Sequence, residues 1–265
     1  MSRGRVSRVW PALLVLVGCG QTGQEAYPLR VEGAGTATGT LVVRTRAPPD
    51  PAPVCASPCE CGAGDWAVTL QQADVAFGPL YLCASVRAEP DLCPESIAEM
   101  LDVAVVDALD PAPVLLGEGV ALTGRAQSAM WDYGRSWLFT QTVVIPDPRA
   151  PGGHSLVLRG TATKGPTSFR FAADVDVDAS EAGLYGVQSA PVARDFTGPY
   201  ESLSVRFDPG AWVSSIDFDA VACSRASASA VDVRFARTSI AYNSLYIAMN
   251  NSRLPTLVGQ SSAAP

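Results

Sequence analysis

Apolar and polar residues alternate in short runs along most of this chain, and Gly, Pro or Asp ends each run after roughly ten residues. Trp66, Val68 and Leu70 illustrate the pattern, because polar or small residues separate them. A period of two places successive side chains on opposite faces of a strand. The pattern predicts an all-β fold, an antiparallel β-sandwich, with strands at 41–46, 66–70, 75–83, 103–106, 119–129, 136–145, 155–163, 167–178, 200–207, 212–218 and 230–236.

Two segments have a helical period instead. Over 94–102, a helix would place Ile97, Met100 and Leu101 on one face. Over 239–250, five apolar or aromatic residues recur at helical spacing: Ala241, Tyr242, Leu245, Tyr246 and Met249. We therefore expect one or two short helices packed on the sheets.

The N-terminus has the features of an export signal. Three arginines within the first eight residues precede the apolar stretch from Val9 to Val17. This stretch is too short to cross a bilayer, which needs about 20 apolar residues. It ends in Leu16-Val17-Gly18-Cys19, which resembles the lipobox of bacterial lipoproteins.

The lipobox resemblance implies that the chain is cut before Cys19 and that this cysteine carries two or three acyl chains, palmitate among them. The lipid would anchor the protein to a membrane of the bacterial cell envelope. By analogy with lipoprotein sorting, Gly20 in place of Asp favours the outer membrane.

The sequence predicts four parts. Residues 1–18 form the signal peptide, and 19–36 form a lipidated flexible tether because they are rich in Gly, Thr and Gln and show no period. The β-sandwich domain covers 37–257 and includes a Cys- and Pro-rich loop at 48–64. Residues 258–265 are expected to be a disordered tail.

Two stretches of the domain also resemble known sequences. The runs at 105–109, 115–119 and 122–124 are similar to uncharacterised bacterial lipoproteins with an immunoglobulin- or transthyretin-like sandwich. The stretch from Tyr200 to Asp219 is similar to hypothetical lipoproteins of high-GC bacteria. These families bring no established activity with them.

The charge of the chain restricts its partners. The net charge is −7, and loss of the three arginines in residues 1–18 lowers it to −10. An acidic protein is poorly suited to nucleic acid. We expect a membrane, reached through the lipid anchor, and an envelope protein or glycan as partners.

Six cysteines remain after lipidation of Cys19, and an even number in an exported protein indicates disulfides. Cys83 and Cys93 flank a short loop, so either they pair with each other or each joins the cluster of Cys55, Cys59 and Cys61. The full set of candidates is Cys55, Cys59, Cys61, Cys83, Cys93 and Cys223. The cluster at 55–61 is also an alternative metal site, although it lacks the paired CxxC motifs of zinc sites.

Catalytic candidates are few, because His154 is the only histidine and Lys164 the only lysine. Ser155 follows His154, but neighbouring residues on a strand point to opposite faces. The sequence contains no nucleophile elbow, zinc-protease motif or phosphate-binding loop. We therefore expect no catalytic residues and no cofactor.

Asp174, Asp176 and Asp178 alternate with valines, so a strand would place three carboxylates on one face, where they could bind Ca²⁺. The calcium-loop motif is incomplete, since Ala179 follows where Gly is required. Asp217 and Asp219 form a second such pair. A solvated strand face is the alternative explanation.

Trp131, Tyr133 and Trp137 surround Gly134, where a hairpin tip could present an aromatic platform to a sugar or a protein. Cross-strand core pairing is the alternative. Taken together, these features favour a non-catalytic envelope lipoprotein with a binding or structural domain. The alternatives are a protein that handles calcium or copper and a hydrolase with an unrecognised site.

Overall fold

The computed structural model of the chain describes residues 26–37, 39–44, 65–86, 93, 96–197, 201–225 and 232–261. These residues form sixteen strands: β1 (Ala26–Ala34), β2 (Thr40–Val43), β3 (Trp66–Phe77), β4 (Leu80–Cys83), β5 (Ser96–Met100), β6 (Ala104–Asp107), β7 (Val114–Leu122), β8 (Gly124–Trp131), β9 (Arg135–Ser136), β10 (Ile145–Pro146), β11 (Leu156–Lys164), β12 (Thr167–Val175), β13 (Val187–Phe196), β14 (Glu201–Arg206), β15 (Asp232–Arg234) and β16 (Thr256–Ser261).

Three short helices accompany the strands: α1 (Pro209–Val213), α2 (Phe218–Arg225) and α3 (Ile240–Ile247). A π-helical turn, Ala248–Ser252, continues α3, and a 3₁₀ turn, Pro151–Gly153, precedes β11. The fold is therefore all-β with packed sheets, as the alternation predicts. Within the described residues, no helix is both long and apolar enough to span a bilayer.

Two sheets make up the body of the protein. The larger has the strand order β13-β8-β4-β5-β7-β1-β14-β16. The smaller has the order β15-β12-β11-β3-β2, with β6 also paired to β3. Most pairs are antiparallel, but β1 pairs with β14 and β12 with β15 in parallel, which differs from the purely antiparallel expectation.

The core forms because alternate residues of the strands face inward. In β3, Trp66, Val68 and Leu70 are buried while the residues between them are exposed. Large aromatic rings fill the space between the sheets, and Phe77 contacts Trp131, Tyr133 and Phe207 at centroid distances of 5.8, 6.3 and 5.5 Å. Such offset and edge contacts add to the free energy that burial provides.

The predicted C-terminal helix is confirmed. Helix α3 buries Ala241, Tyr242 and Leu245, and the π-helical turn buries Ala248 and Met249. Ser239 caps the helix, because its side chain accepts a hydrogen bond from the backbone N–H of Tyr242.

Both predicted flexible ends of the domain are wrong in part. Residues 26–34, assigned to the tether, form β1, which lies inside the large sheet between β7 and β14. Leu29 and Val31 are 1% and 0% exposed. The short apolar–polar alternation Leu29-Arg30-Val31-Glu32 is the sequence pattern that indicates this strand. At the other end, residues 258–261 belong to β16, which pairs with β14.

The predicted helix at 94–102 is a strand instead. Strand β5 pairs with β4 on one side and β7 on the other, and these backbone hydrogen bonds replace those of a helix. Ala98 and Met100 are buried, whereas Leu101, which the helix would have buried, is 62% exposed. An isolated helix of nine residues is marginal, so tertiary pairing decides the conformation.

Four predicted strands also need correction. The strand at 75–83 is divided between the end of β3 and β4 at Gly78-Pro79. The segment 212–218 contains no strand: it holds the end of α1, a turn at 214–217 and the start of α2. Helix α1 forms because Asp208 caps it through the N–H of Ala211 and Pro209 occupies its first turn. The strand at 136–145 is reduced to the two-residue ladder of β9 and β10. The strand at 119–129 is split between β7 and β8 at Gly124, which has a φ of +152°.

The sulfur atoms of Cys83 and Cys93 are bonded, which confirms one of the two predicted pairings for these residues. Cys223 is half-buried on α2. The signal segment 1–18, the lipidation residue Cys19, the loop 48–64 with its three cysteines, and residues 262–265 lie outside the described residues.

The two edge strands of the large sheet, β13 and β16, approach each other. Arg194 of β13 points to the same side of the strand as the buried Phe196, with its guanidinium 5.4 Å from that ring. Its side chain reaches Gly259 of β16, where an added Cβ would lie 2.3 Å from Cδ of Arg194. The inner faces of the two edge strands therefore meet at an arginine.

The position of β1 gives a testable prediction. Leu29→Ala removes a fully buried side chain from an internal strand and should lower the free energy of unfolding by about 2–5 kcal/mol. Val42→Ala on β2, where Val42 is 68% exposed, should cost less than about 1 kcal/mol. Urea unfolding measures both values. Equal, small effects would mean that residues 26–34 are a tether after all.

Candidate functional site

A network of charged and polar side chains lies at one end of the large sheet, where β8 ends and β13 begins. Trp131 and Val187 pair there, while Gly124 and Phe196 pair at the opposite end of these two strands. The segment that follows β12 and the turn that follows α3 also reach this end. Side chains from distant parts of the sequence therefore converge on it.

The predicted aromatic platform is not present at the surface. Trp131 and Tyr133 are fully buried, and Trp137 is half-buried. Tyr133 donates a hydrogen bond of 3.0 Å to the carbonyl oxygen of Met249 and so fixes the turn after α3. Trp131 and Tyr133 are core residues, as in the alternative of cross-strand core pairing, and they pack in the interior beside the site.

The second residue of the three-aspartate pattern, Asp176, is the best-connected group of the region. Its carboxylate lies 2.8 Å from Nδ1 of His154 and 3.4 Å from Nη1 of Arg135, and it accepts a hydrogen bond from Arg237. Its backbone N–H donates to the hydroxyl of Tyr242 at 2.9 Å. The side chain of Asp176 is only 4% exposed, so these partners replace solvent.

The other two aspartates are also paired with arginines. Asp174 lies 2.7 Å from Nη2 of Arg159 and also pairs with Arg234. Asp178 lies 2.5 Å from Nε of Arg135. Because guanidinium groups already neutralise the carboxylates, they are poorly placed to bind Ca²⁺.

No group of three or more His, Cys, Asp or Glu suited to a metal is found among the described residues. The second predicted carboxylate pair has structural partners. Asp219 accepts hydrogen bonds from Lys164 and Trp66 at 2.8 and 2.9 Å, and Asp217 accepts one from the N–H of Ala220 at 3.0 Å.

His154 has one feature of a catalytic base but lacks a neighbouring nucleophile. Partial burial lowers the pKa of His154, the charge of Asp174 opposes this, and nearby arginines lower the pKa further. A neutral ring would donate its Nδ1 proton to Asp176 and keep a lone pair on Nε2. Ser155 is fully buried, and its hydroxyl accepts the N–H of Val177 at 3.0 Å, so it is not presented for attack.

Asp132, at the end of β8, joins two loops. One oxygen of its carboxylate accepts the backbone N–H of Gly186, and the other accepts the hydroxyl of Ser136, each at 2.8 Å. Burial raises the pKa of Asp132 to about 7, and the negative charge of Asp178 adds to this increase. The carboxyl group is therefore half-protonated near neutral pH.

An open groove of about 400 Å³ lies beside this network. One wall follows the segment from Asp178 to Ser189, and the other is the turn after α3. Nine described residues line the groove: Asp178, Ser180, Tyr185, Gly186, Gln188, Ser189, Tyr246, Asn250 and Asn251. Except for Gly186, each of these carries a side-chain hydrogen-bonding group.

Comparisons of the chain with models of protein families, with curated proteins and with solved structures gave no match.

Sequence reasoning found the three aspartates and His154 but missed the groove. The partners of the Asp176 carboxylate are 22 to 61 residues away along the chain, so no local spacing of residues predicts them. One sequence signal was available for the groove. The adjacent polar pair Asn250-Asn251 directly follows the apolar face of α3 and marks a polar surface at the end of that helix.

The raised pKa of Asp132 predicts how stability depends on pH. The folded protein holds this proton more tightly than the unfolded chain, whose pKa is near 3.8. As pH rises from about 4 to about 7, only the folded state keeps the proton, so the free energy of unfolding should fall by about 1.4 kcal/mol for each pH unit. Asp132→Asn keeps one carbonyl oxygen for Gly186 and cannot ionise.

The measurement is urea unfolding of the wild type and of Asp132→Asn between pH 4.5 and 8. The free energy of the wild type should fall relative to the variant as pH rises, and the difference should level off above about pH 7. Other titrating groups are common to both proteins and cancel. A difference that is constant with pH would show that Asp132 has an ordinary pKa.

Proposed function

We propose that this protein is a lipid-anchored, non-catalytic component of the bacterial cell envelope whose β-sandwich domain binds a neutral, hydroxyl-rich ligand of the saccharide class. The observation that carries the proposal is the chemistry of the groove between residues 178–189 and 246–251. Its volume is in the range of small-molecule sites, about 300–1,000 Å³.

The lining favours a neutral ligand. Gln188, Asn250 and Asn251 offer amide groups that both donate and accept hydrogen bonds, as the hydroxyl groups of a sugar require. The carboxylate of Asp178 is neutralised by Arg135. None of the nine lining residues is cationic, so a phosphate or carboxylate ligand would lack a counter-charge there.

The half-buried Tyr246 adds an aromatic ring to this polar lining. An aromatic side chain combines an apolar face with a hydroxyl group, which suits the mixed surface of a sugar ring. The adjacent network around Asp176 fixes the loop that carries Asp178. The groove therefore has a preorganised wall, which reduces the entropy lost on binding.

The proposed anchor would hold the domain close to a membrane. Cys19, the proposed lipidation residue, is joined to Ala26 by a segment that can reach at most about 25 Å. Through the intervening strands β7, β5 and β4, Leu29 lies in the same row of the large sheet as Trp131, at the end of β8 beside the groove. Ala26 is displaced from that row by three residues, about 10 Å along the strand.

Ligand binding is tested with the mature chain carrying Cys19→Ser, which contains every described strand and helix. Methyl glycosides of glucose, galactose, mannose and N-acetylglucosamine are screened by saturation-transfer NMR. At least one should bind, and Asn251→Ala should weaken it about three- to tenfold because one hydrogen bond is lost. Asn243→Ala, an exposed asparagine of α3 that does not line the groove, is the matched control.

Two outcomes of this screen would contradict the proposal. Binding that Asn251→Ala leaves unchanged would place the ligand elsewhere. Hydrolysis of a bound glycoside that is lost in His154→Gln would favour the hydrolase alternative, with the His154–Asp176 pair as the base.

The anchor is tested by intact mass spectrometry of protein purified from the membranes of its host. Cleavage before Cys19 should remove residues 1–18, and the mass should rise by two or three acyl chains. A mass without acyl chains would mean a free secreted protein. Elemental analysis of the same sample tests the metal-handling alternative, which predicts bound calcium or copper.

A further inference from the structure

A loop beside the groove exposes a group of apolar side chains. The segment 137–145, called the apolar loop below, connects β9 to β10. Phe139, Val143 and Leu138 are 71%, 63% and 54% exposed, and Ile145 at the end of the loop is 48% exposed. Four large apolar side chains exposed within eight residues form a patch typical of a binding surface.

The apolar loop has a defined conformation. Gln141 closes a turn in the first half of the loop, because its side chain accepts the N–H of Leu138 at 2.9 Å and its backbone N–H donates to the carbonyl of Leu138 at the same distance. The indole N–H of Trp137 donates to the carbonyl of Gln141 at 3.3 Å. Internal hydrogen bonds thus present the apolar side chains outward in the absence of a partner.

The apolar loop is continuous with the wall of the groove. The N–H of Gly183 donates to the carbonyl of Trp137 at 2.6 Å. The ring of Phe139 lies against Gly183, where an added Cβ would be 2.2 Å from the ring and where φ is +85°. Gly183 lies between Ser180 and Tyr185, which line the groove, so one segment has the polar surface on one side and the apolar loop on the other.

Asp132 fixes the two surfaces relative to each other. Its carboxylate accepts one hydrogen bond from Ser136, at the base of the apolar loop, and another from Gly186, in the groove wall. A ligand that occupies the groove would therefore meet the apolar loop at a constant position.

We propose that the ligand of the groove is amphipathic: a polar headgroup occupies the groove, and an aliphatic chain attached to it lies on the apolar loop. This inference rests on the proposed function and adds to it the class of ligand, a single glycolipid-like molecule. A short alkyl chain on the apolar loop removes Phe139 and Val143 from water, and each methylene that is buried increases affinity about two- to fourfold.

The test compares methyl, butyl and octyl glycosides of one headgroup, below their micelle-forming concentrations, with the mature chain carrying Cys19→Ser. The wild type should bind the octyl compound at least about tenfold more tightly than the methyl compound. The double variant Phe139→Ser, Val143→Ser should lose this gain and keep its affinity for the methyl compound. Val42→Ser is the matched control, since Val42 is 68% exposed on the other sheet.

Tryptophan fluorescence locates the alkyl chain independently. Trp66, Trp131 and Trp212 are buried, whereas Trp137 is half-buried in the apolar loop. Octyl but not methyl glycoside should shift the emission to shorter wavelength, and Trp137→Phe should abolish that change without reducing affinity by more than about twofold.

The outcomes separate this inference from the proposed function. Methyl and octyl compounds that bind equally, both weakened by Asn251→Ala, would overturn the inference and leave the saccharide groove in place. If Asn251→Ala leaves the affinity for the octyl compound unchanged, or if neither compound binds, both the inference and the proposed saccharide groove are overturned. Binding to phosphatidylcholine vesicles without affinity for monomeric octyl glycoside would show that the apolar loop binds a bilayer. Self-association that the double variant abolishes would show that it binds a second copy of the chain. Either result would overturn the inference.

Discussion

The carboxylate and the backbone N–H of Asp176 join four segments of the chain at this end of the sandwich. The carboxylate binds His154 before β11, Arg135 in β9 and Arg237 after β15, while the N–H binds Tyr242 in α3. Burial of a carboxylate costs several kcal/mol unless several partners replace water. Moving any one of these segments away would remove a partner from the buried Asp176, so the segments stabilise one another's positions. The loops around the groove owe their shape to these contacts rather than to regular secondary structure.

The sequence predicted the architecture because alternation is a strong signal wherever one face of a strand is buried over several residues. Strands β3, β11 and β12 follow this rule closely. Strand β1 was missed because only Leu29 and Val31 alternate clearly and glycine-rich sequence surrounds them. Strand β5 was assigned to a helix because Ile97 and Met100 are three residues apart, which fits a helix and not the period of two of a regular strand. The register of β5 with β4 is irregular beside Ile97, and both side chains are buried in the strand.

The candidate site was less predictable than the fold, for a related reason. Asp174, Asp176 and Asp178 were identified by their spacing, but their meaning depends on arginines that lie far along the chain. Without these partners the pattern suggested a cation site. The groove had a still weaker signal, because Gln188, Tyr246 and Asn251 are ordinary surface residues until the fold brings the two segments together.

The arginine between the two edge strands of the large sheet has a consequence for solubility. Exposed strand edges can pair with other chains and start aggregation, and an inward-pointing charge on an edge strand is one means of preventing this. Arg194 of β13 is such a charge, and Gly259 of β16 leaves room for it. If the chain is anchored as proposed, many copies would share one membrane surface, and an edge strand that resists pairing with another copy would keep them monomeric at high local concentration.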